Sequence, residues 1–226
     1  MKPFKQSSPV HLNGNLFCAV DTETTGLDPE QNSIIEICIL PLNADYSINK
    51  TVLPFNTQMQ PIPGKRIDRD AMLINKIDLA HVMLNCLDAY KVADLLVEWF
   101  EKLRLPLNKR IVPIAQNWPF DRGFLHNWLG MQTYEMLFDR HFRDTMALAL
   151  SMNDIADNRN ERIPFPKVSL GVLAKRFGIE NPDPHRALGD CVTTAAVYKQ
   201  LLKFYDVGSS PPSPVSDGDL VAAGTN

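Results

Sequence analysis

Apolar positions along the chain change period several times, and each change marks an element. Residues 16–21 (LFCAVD), 34–40 (IIEICIL) and 51–55 (TVLPF) are short apolar or β-branched runs parted by turn formers, which predicts three consecutive strands in a meander. Over residues 88–103 the period becomes helical, with Ala89, Val92, Leu95, Leu96, Trp99, Phe100 and Leu103 recurring at three and four. Residues 111–115 (IVPIA) read as a fourth strand. Asn117 stands where an N-cap belongs and Pro119 suits a first helical turn, predicting a helix over 119–129 that leads to a short strand at 138–142. Asp144 caps a helix over 145–152; after a polar loop at 154–167, a short helix at 169–177 precedes a long one at 187–204. A meander followed by strands alternating with helices is an α/β arrangement, a mixed sheet covered by helices.

Length and composition bound this picture. The chain has 226 residues, which allows one full-sized domain with extra segments and excludes two large ones. At 45% hydrophobic it can fill a core without disulfide or metal staples. The last twenty residues hold ten Gly, Ser or Pro, too little apolar surface to order themselves. The expected organisation is an irregular segment at 1–14, one folded domain at 15–206 and a disordered tail at 207–226, with no internal repeat. Cys18, Cys38, Cys86 and Cys191 form no C-x-x-C pair and are too few for a disulfide scaffold, so they read as buried thiols in a reducing compartment. No apolar stretch approaches the ~18 residues that span a bilayer, and the first residues lack the apolar middle of a signal peptide. A soluble cytoplasmic protein without a membrane partner is expected. Charge is nearly balanced, 23 basic against 26 acidic residues, and no basic run marks a long nucleic-acid groove. That still permits a nucleic-acid enzyme whose carboxylates are neutralised by bound cations.

Candidate chemistry centres on carboxylates. Asp21 and Glu23 lie two apart at a strand end, and a period of two aims both at one face. Holding two like charges ionised there calls for a hard cation such as Mg²⁺ or Mn²⁺; a solvated turn is the other reading of D-x-E alone. Asp190 shares a largely apolar helix edge with Ala187, Thr194, Val197 and Leu201, so it has to be paired or metal-bound. His185 precedes it by five residues, off that face at ~100° per residue, and follows Pro182 and Pro184. It belongs on the entering loop, free to approach a substrate or simply exposed. Asp121 falls in the first turn of a helix that starts where a strand ends, the place where α/β sheets collect function and also where the helix dipole favours an acid. Lys65, Arg66 and Arg69 within 60–78, and Arg159, Arg162 and Lys167 in the polar loop, read as solvated basic residues, with phosphate contact as the other reading.

DTETTGL (21–27), NWPFD (117–121) and HRALGD (185–190) occur in this order over about 170 residues, with DTMALALS at 144–151 between the last two. The set resembles the three exonuclease motifs of the DnaQ-like 3′-to-5′ exonucleases of the DEDDh type, a family that includes polymerase proofreading subunits, ribonuclease T and the animal Trex enzymes. The resemblance spans nearly the whole folded unit and implies an RNase H-like fold with a five-stranded mixed sheet flanked by helices. It implies that Asp21, Glu23, Asp121 and Asp190 are metal-binding carboxylates and that His185 is the general base. It further implies that Thr24, Thr25, Gly26 and Leu27 pack against the 3′-terminal nucleotide, with Leu27 wedged beside its base, and that Asn117 and Phe120 help shape the same pocket. Asp144 remains a helix cap. Trp118, with Pro119 behind it, stands where the family often has a small residue, which predicts a bulkier pocket rim.

The chemistry so implied uses two divalent cations, Mg²⁺ or Mn²⁺, about 3.5–4 Å apart, one activating a water and the other stabilising the leaving 3′ oxygen. Histidine, with an ordinary pKa of about 6.5, takes the water's proton near neutral pH. The product is a nucleoside 5′-monophosphate and the substrate a single-stranded nucleic-acid 3′ end, DNA or RNA, since no residue announces a 2′-hydroxyl contact. Two alternatives stand beside it: a 3′-end-binding or proofreading subunit of a larger complex, and an oligonucleotide-specific phosphodiesterase. A polymerase or repair partner and the oligomeric state are left open.

Overall fold

The computed structural model describes residues 14–204; residues 1–13 and 205–226 lie outside the described residues, and with them nearly all of the expected irregular N-terminal segment and the whole Gly/Ser/Pro-rich tail. Five strands, β1 (Leu16–Thr24), β2 (Ile34–Pro41), β3 (Phe55–Gln58), β4 (Ile111–Ala115) and β5 (Arg143–Asp144), form one sheet in the order β3-β2-β1-β4-β5. Strand β2 runs antiparallel to both β1 and β3, while β4 and β5 run parallel to β1. This is the mixed sheet that the pattern predicts.

Helices cover both faces, which is why β1 and β2 are apolar at consecutive positions. On one face Phe17, Ala19, Cys38 and Leu40 pack against Ala187, Cys191, Ala195 and Tyr198 of α7 (Ala187–Phe204). On the other, Cys18, Val20, Ile37 and Ile39 pack with Val92 and Leu96 of α3 (Ala89–Lys102) and Phe124 and Leu125 of α4 (Trp118–Leu137). The same alternation, carried past Val20, sends Asp21 and Glu23 to the α7 face and Thr22 to the α4 face. Two smaller helices, α5 (Thr145–Asn158) and α6 (Leu170–Arg176), complete a third cluster with α7 through Ala149, Met152, Phe165, Leu173, Val197 and Leu201. No helix among the described residues is long and apolar enough to cross a membrane.

Several elements depart from the sequence expectation. The third strand lies at 55–58 rather than 51–55, because the Asn49 side chain accepts the N–H groups of Thr51 and Val52 and holds that stretch in a turn. The helix expected over 119–129 continues to Leu137, turning at Gly130 (φ 73°). Of the expected 138–142 strand, Phe138 forms an isolated bridge to Ile111 and the Asp139 N–H donates to the Ile111 carbonyl at 2.7 Å, while the true strand is the pair Arg143–Asp144. Residues 60–78, whose basic side chains read as a solvated loop, contain α1 (Arg69–Asn75), and α2 (Leu79–Asn85) follows directly after them. In these two helices Leu73 (61%), Ile74 (57%) and Leu84 (83%) are exposed and Val82 is the one buried apolar residue, packed with Ile35 and Ile77, so no buried stripe announces them.

Asp144 ties the second half of the sheet together. Its buried carboxylate accepts the N–H groups of Met146 (2.9 Å) and Ala147 (3.2 Å) at the start of α5, as expected of a cap. It also accepts those of Asn117 (3.2 Å) and Trp118 (2.7 Å) at the start of α4. One side chain thus caps two helices. Asp144→Ala should destabilise the fold by about 2–4 kcal/mol, roughly two caps' worth, in urea unfolding; a loss no larger than ~0.5 kcal/mol, the scale of an ordinary surface substitution, would contradict the shared cap.

Candidate active site

Asp21 and Glu23 occupy the carboxyl end of the central strand, half-buried and on the α7 face. Asp190, in the first turn of α7, meets them there: one carboxylate oxygen from each of the three lies within 4.8 Å of the others. Asp190 is oriented by Asn181, whose amide donates to its Oδ1 at 2.6 Å. That contact needs the chain before α7 to lie close on the helix, and a Cβ at Gly189 would collide with the carbonyl of Asp183. Asp121 stands beside this trio rather than within it. It is 3% exposed in the first turn of α4, and its Oδ1 accepts the hydroxyl of Thr22 at 2.7 Å.

The turn after β1 is tied down by its own polar groups. The Thr24 hydroxyl donates to the Gly26 carbonyl at 2.6 Å, and that of Thr25 to the Arg66 carbonyl at 2.7 Å. A Cβ at Gly26 would collide with the Asp68 carboxylate and the Asn32 amide. Thr24, Thr25 and Gly26 are therefore buried and packed, and the turn presents Leu27, 81% exposed, to solvent. Asn117 is exposed in a left-handed conformation (φ 64°), and its side chain makes no cap hydrogen bond. Phe120 is half-buried, its ring 5.0 Å from that of Phe124. Trp118 corrects the expectation of a bulkier rim: it is 1% exposed and packs in the core against Phe138 and Phe142.

His185 lies on the loop entering α7, exposed and at φ 62°, five residues ahead of Asp190. Next to it, the Arg186 guanidinium pairs with Glu36 of β2, which sits directly across from Glu23 in the strand register. Sequence reasoning missed Glu36, Arg186 and Asn181. The only signal was one charge inside an otherwise apolar strand; nothing in the sequence links it to residue 186. Of the basic candidates, Lys65 donates to the carbonyls of Pro29 (3.3 Å) and Glu30 (2.5 Å) and to the Asn127 side chain (3.1 Å), stitching its loop to α4. Arg66 pairs with Asp68 at 2.7 Å, while Arg159, Arg162 and Lys167 are exposed.

Crowding and burial act on this acidic group in one direction. Desolvation, then the charges of Asp121, Asp190 and Glu23, hold the Asp21 carboxyl well above the usual range. Glu23 is pushed up to about 8 by desolvation and by the charges of Asp190, Glu36 and Asp121, with Arg186 opposing. Desolvation raises Asp121 to about 7 against the Thr22 hydrogen bond, and it raises Asp190 against the bond from Asn181. Oxygen donors this close and this reluctant to ionise together are matched by a small divalent cation, which supplies the missing positive charge.

The comparisons with known proteins agree with this geometry. The family model described as Exonuclease (RNase T) matches residues 18–198. The chain is 30% identical over 188 residues to the DNA polymerase III subunit epsilon of Rickettsia felis, covering 80% of this chain and 72% of that protein. It is 32% identical over 113 residues to the ribonuclease T of Wigglesworthia glossinidia brevipalpis, covering 47% of this chain and 50% of that one. Among solved structures, E. coli exonuclease I in complex with a dT13 oligonucleotide superposes with a TM-score of 0.66 at 18% identity, over 85% of this chain and 43% of that one. The chain belongs to the exonuclease family, with the RNase H-like fold that its three motifs implied. It spans less than half of exonuclease I and 12% of the PolC-type polymerase of Thermotoga maritima that it also matches.

The raised carboxyl pKa values fix the sign of a pH effect. Groups whose folded pKa lies above the unfolded value contribute stability below the unfolded value, near 4.5 for Glu23, and lose it as pH rises through about 8. The metal-free protein should therefore lose thermal stability between about pH 5 and 8, at roughly 2–4 °C per kcal/mol, and Mg²⁺ should restore it most at pH 8. Asp21→Asn should raise the metal-free Tm at pH 8 and diminish the Mg²⁺-induced rise. A metal-free Tm that climbs from pH 5 to 8, or a Mg²⁺ effect independent of pH, would contradict the acidic group as described.

Proposed function

We propose that this chain removes nucleotides one at a time from the 3′ end of single-stranded nucleic acid by metal-dependent hydrolysis. The observation that carries the reading is the meeting of Asp21 and Glu23 with Asp190, from opposite ends of the domain, with oxygens within 4.8 Å and His185 on the adjoining loop. In this reading Asp21, Glu23 and Asp190, with Asp121 beside them, hold two divalent cations, Mg²⁺ or Mn²⁺. When bound, such ions neutralise charge on the phosphate and favour ionisation of the attacking water. His185 accepts the proton of that water, and its exposed loop position leaves the imidazole free to do so. The water oxygen bonds to phosphorus, the bond from phosphorus to the 3′ oxygen breaks, and the shortened strand leaves with a 3′-hydroxyl while a nucleoside 5′-monophosphate is released. Asn181 holds Asp190 in one orientation, and Thr22 does the same for Asp121.

The terminal nucleotide is proposed to sit against the turn of Thr24, Thr25 and Gly26, whose hydroxyls are spent on the turn itself, so that backbone and shape do the holding. Leu27 is proposed as the wedge beside the terminal base, with Asn117 and Phe120 on the opposite wall. A proofreading role beside a polymerase is supported by the extent of similarity to the epsilon subunit, 72% of that protein. All four cysteines are free thiols, which supports a reducing compartment such as the cytoplasm.

Single-stranded DNA and RNA of one sequence, labelled at the 5′ end and cut to several lengths, test the reading in Mg²⁺, Mn²⁺ or EDTA. A metal-dependent ladder shortening from the 3′ end is expected, absent in Asp21→Ala. His185→Ala should slow the chemical step by about 10²–10⁴ while keeping metal affinity. No cleavage at any length, or endonucleolytic products, would overturn the reading. Leu27→Ala, at an exposed position that leaves the fold intact, should lower kcat/KM by roughly 5–30-fold, the scale of one apolar contact of ~1–2 kcal/mol; an unchanged kcat/KM would remove Leu27 from the site.

A further inference from the structure

Strand β2 is buried along its whole length, and Glu36 is its one charged residue, 3% exposed. A carboxylate in such a place must be matched by a cation and by hydrogen bonds. The match comes from 150 residues away. Arg186 Nε donates to Oε1 at 3.3 Å and Oε2 at 3.0 Å, and its Nη2 donates to Oε1 at 2.7 Å. Oε2 also accepts the backbone N–H of Ala187 at 3.2 Å, a first-turn donor of α7 that has no partner within the helix. Both oxygens of Glu36 are thus engaged, so it is not one of the cation ligands even though it stands across from Glu23.

What the pair holds is the start of α7. Arg186 and Ala187 follow His185 directly, and His185 sits in the left-handed region at φ 62°. That conformation costs a non-glycine residue ~1–2 kcal/mol and persists only where neighbours fix it. Four residues beyond Arg186, the N–H of Asp190 donates to its carbonyl at 3.0 Å, a main-chain bond of the helix that does not involve the Arg186 side chain. We infer that Glu36 and Arg186 are positioning residues for the exonuclease reaction, a two-pronged latch between β2 and α7, buried at Glu36 and part-exposed at Arg186, that fixes the His185 loop beside the carboxylate trio. The inference rests on the reading of the site given above. Lysine does not replace arginine here, because a point charge on a flexible stem cannot bond both oxygens in the fixed fork.

The test is a double-mutant cycle. Arg186→Lys keeps the charge and should lower kcat about tenfold or more, with KM for a single-stranded oligonucleotide changed less than about threefold. In a His185→Gln background, followed through its residual cleavage, Arg186→Lys should lower the rate less than about twofold, because the latch acts through the histidine. An equal loss in both backgrounds would mean a general structural role and would overturn the inference. Glu36→Gln, which keeps an acceptor for the Ala187 N–H, should show the same pattern. A measurement independent of activity runs alongside: the ¹⁵N order parameter of His185 should fall below about 0.6 in Arg186→Lys while β1 stays near about 0.85. Unchanged order at His185 would overturn the latch. If the wild type leaves 3′ ends intact, the exonuclease reading fails by itself, and the order parameter still decides whether the latch exists.

Discussion

Three carboxylates whose oxygens lie within 4.8 Å of one another repel, and most of the architecture around them serves to keep them there. Two are set by the simplest device available, the alternation of a strand: once Phe17 and Ala19 are committed to the α7 face, Asp21 and Glu23 have no other direction to take. The third depends on a helix docked across the sheet by Ala187, Cys191, Ala195 and Tyr198, and aligned by the bond from Asn181. Hydrophobic burial supplies the energy to hold the acids together; desolvation first, and then the charges of Asp190, Glu36 and Asp121, raise the Glu23 carboxyl in consequence.

The remaining polar network distributes order around that group. Asp144 anchors two helix starts with one side chain, which places the Asn117 to Asp121 segment at the end of β4. Thr22, on the opposite face of β1 from Asp21 and Glu23, reaches Asp121 and ties α4 to the strand that bears the other acids. Glu36 secures the start of α7 through Arg186 and Ala187. Strand β1 and the starts of α4 and α7 are each fixed by a buried carboxylate or hydroxyl, and Leu27, Asn117 and His185 are left facing solvent.

Much of this was legible in the sequence because it depends on local rules. The continuous apolar run before Asp21, the Asp before Thr145 and the long helix bearing Asp190 all announce themselves within a few residues. Helices α1 and α2 did not, since Leu73, Ile74 and Leu84 are exposed and Val82 alone of their apolar residues is buried, which leaves no amphipathic stripe. Trp118 was misplaced on the pocket rim because burial follows from tertiary packing against Phe138 and Phe142, which the motif does not encode. That Asp121 lies beside the trio and is held by Thr22, and that Glu36 pairs with Arg186, are facts of register and docking between segments about 100 and 150 residues apart. No window of sequence contains them.

The central claim is that Asp21, Glu23 and Asp190 form one cation-binding group. It is tested most directly by diffraction from crystals grown with Mn²⁺, using its anomalous signal to locate the ion. A Mn²⁺ peak is expected at ordinary ligand distance, about 2.0–2.3 Å, from oxygens of these three side chains. A peak elsewhere on the protein, or none at saturating Mn²⁺, would contradict it.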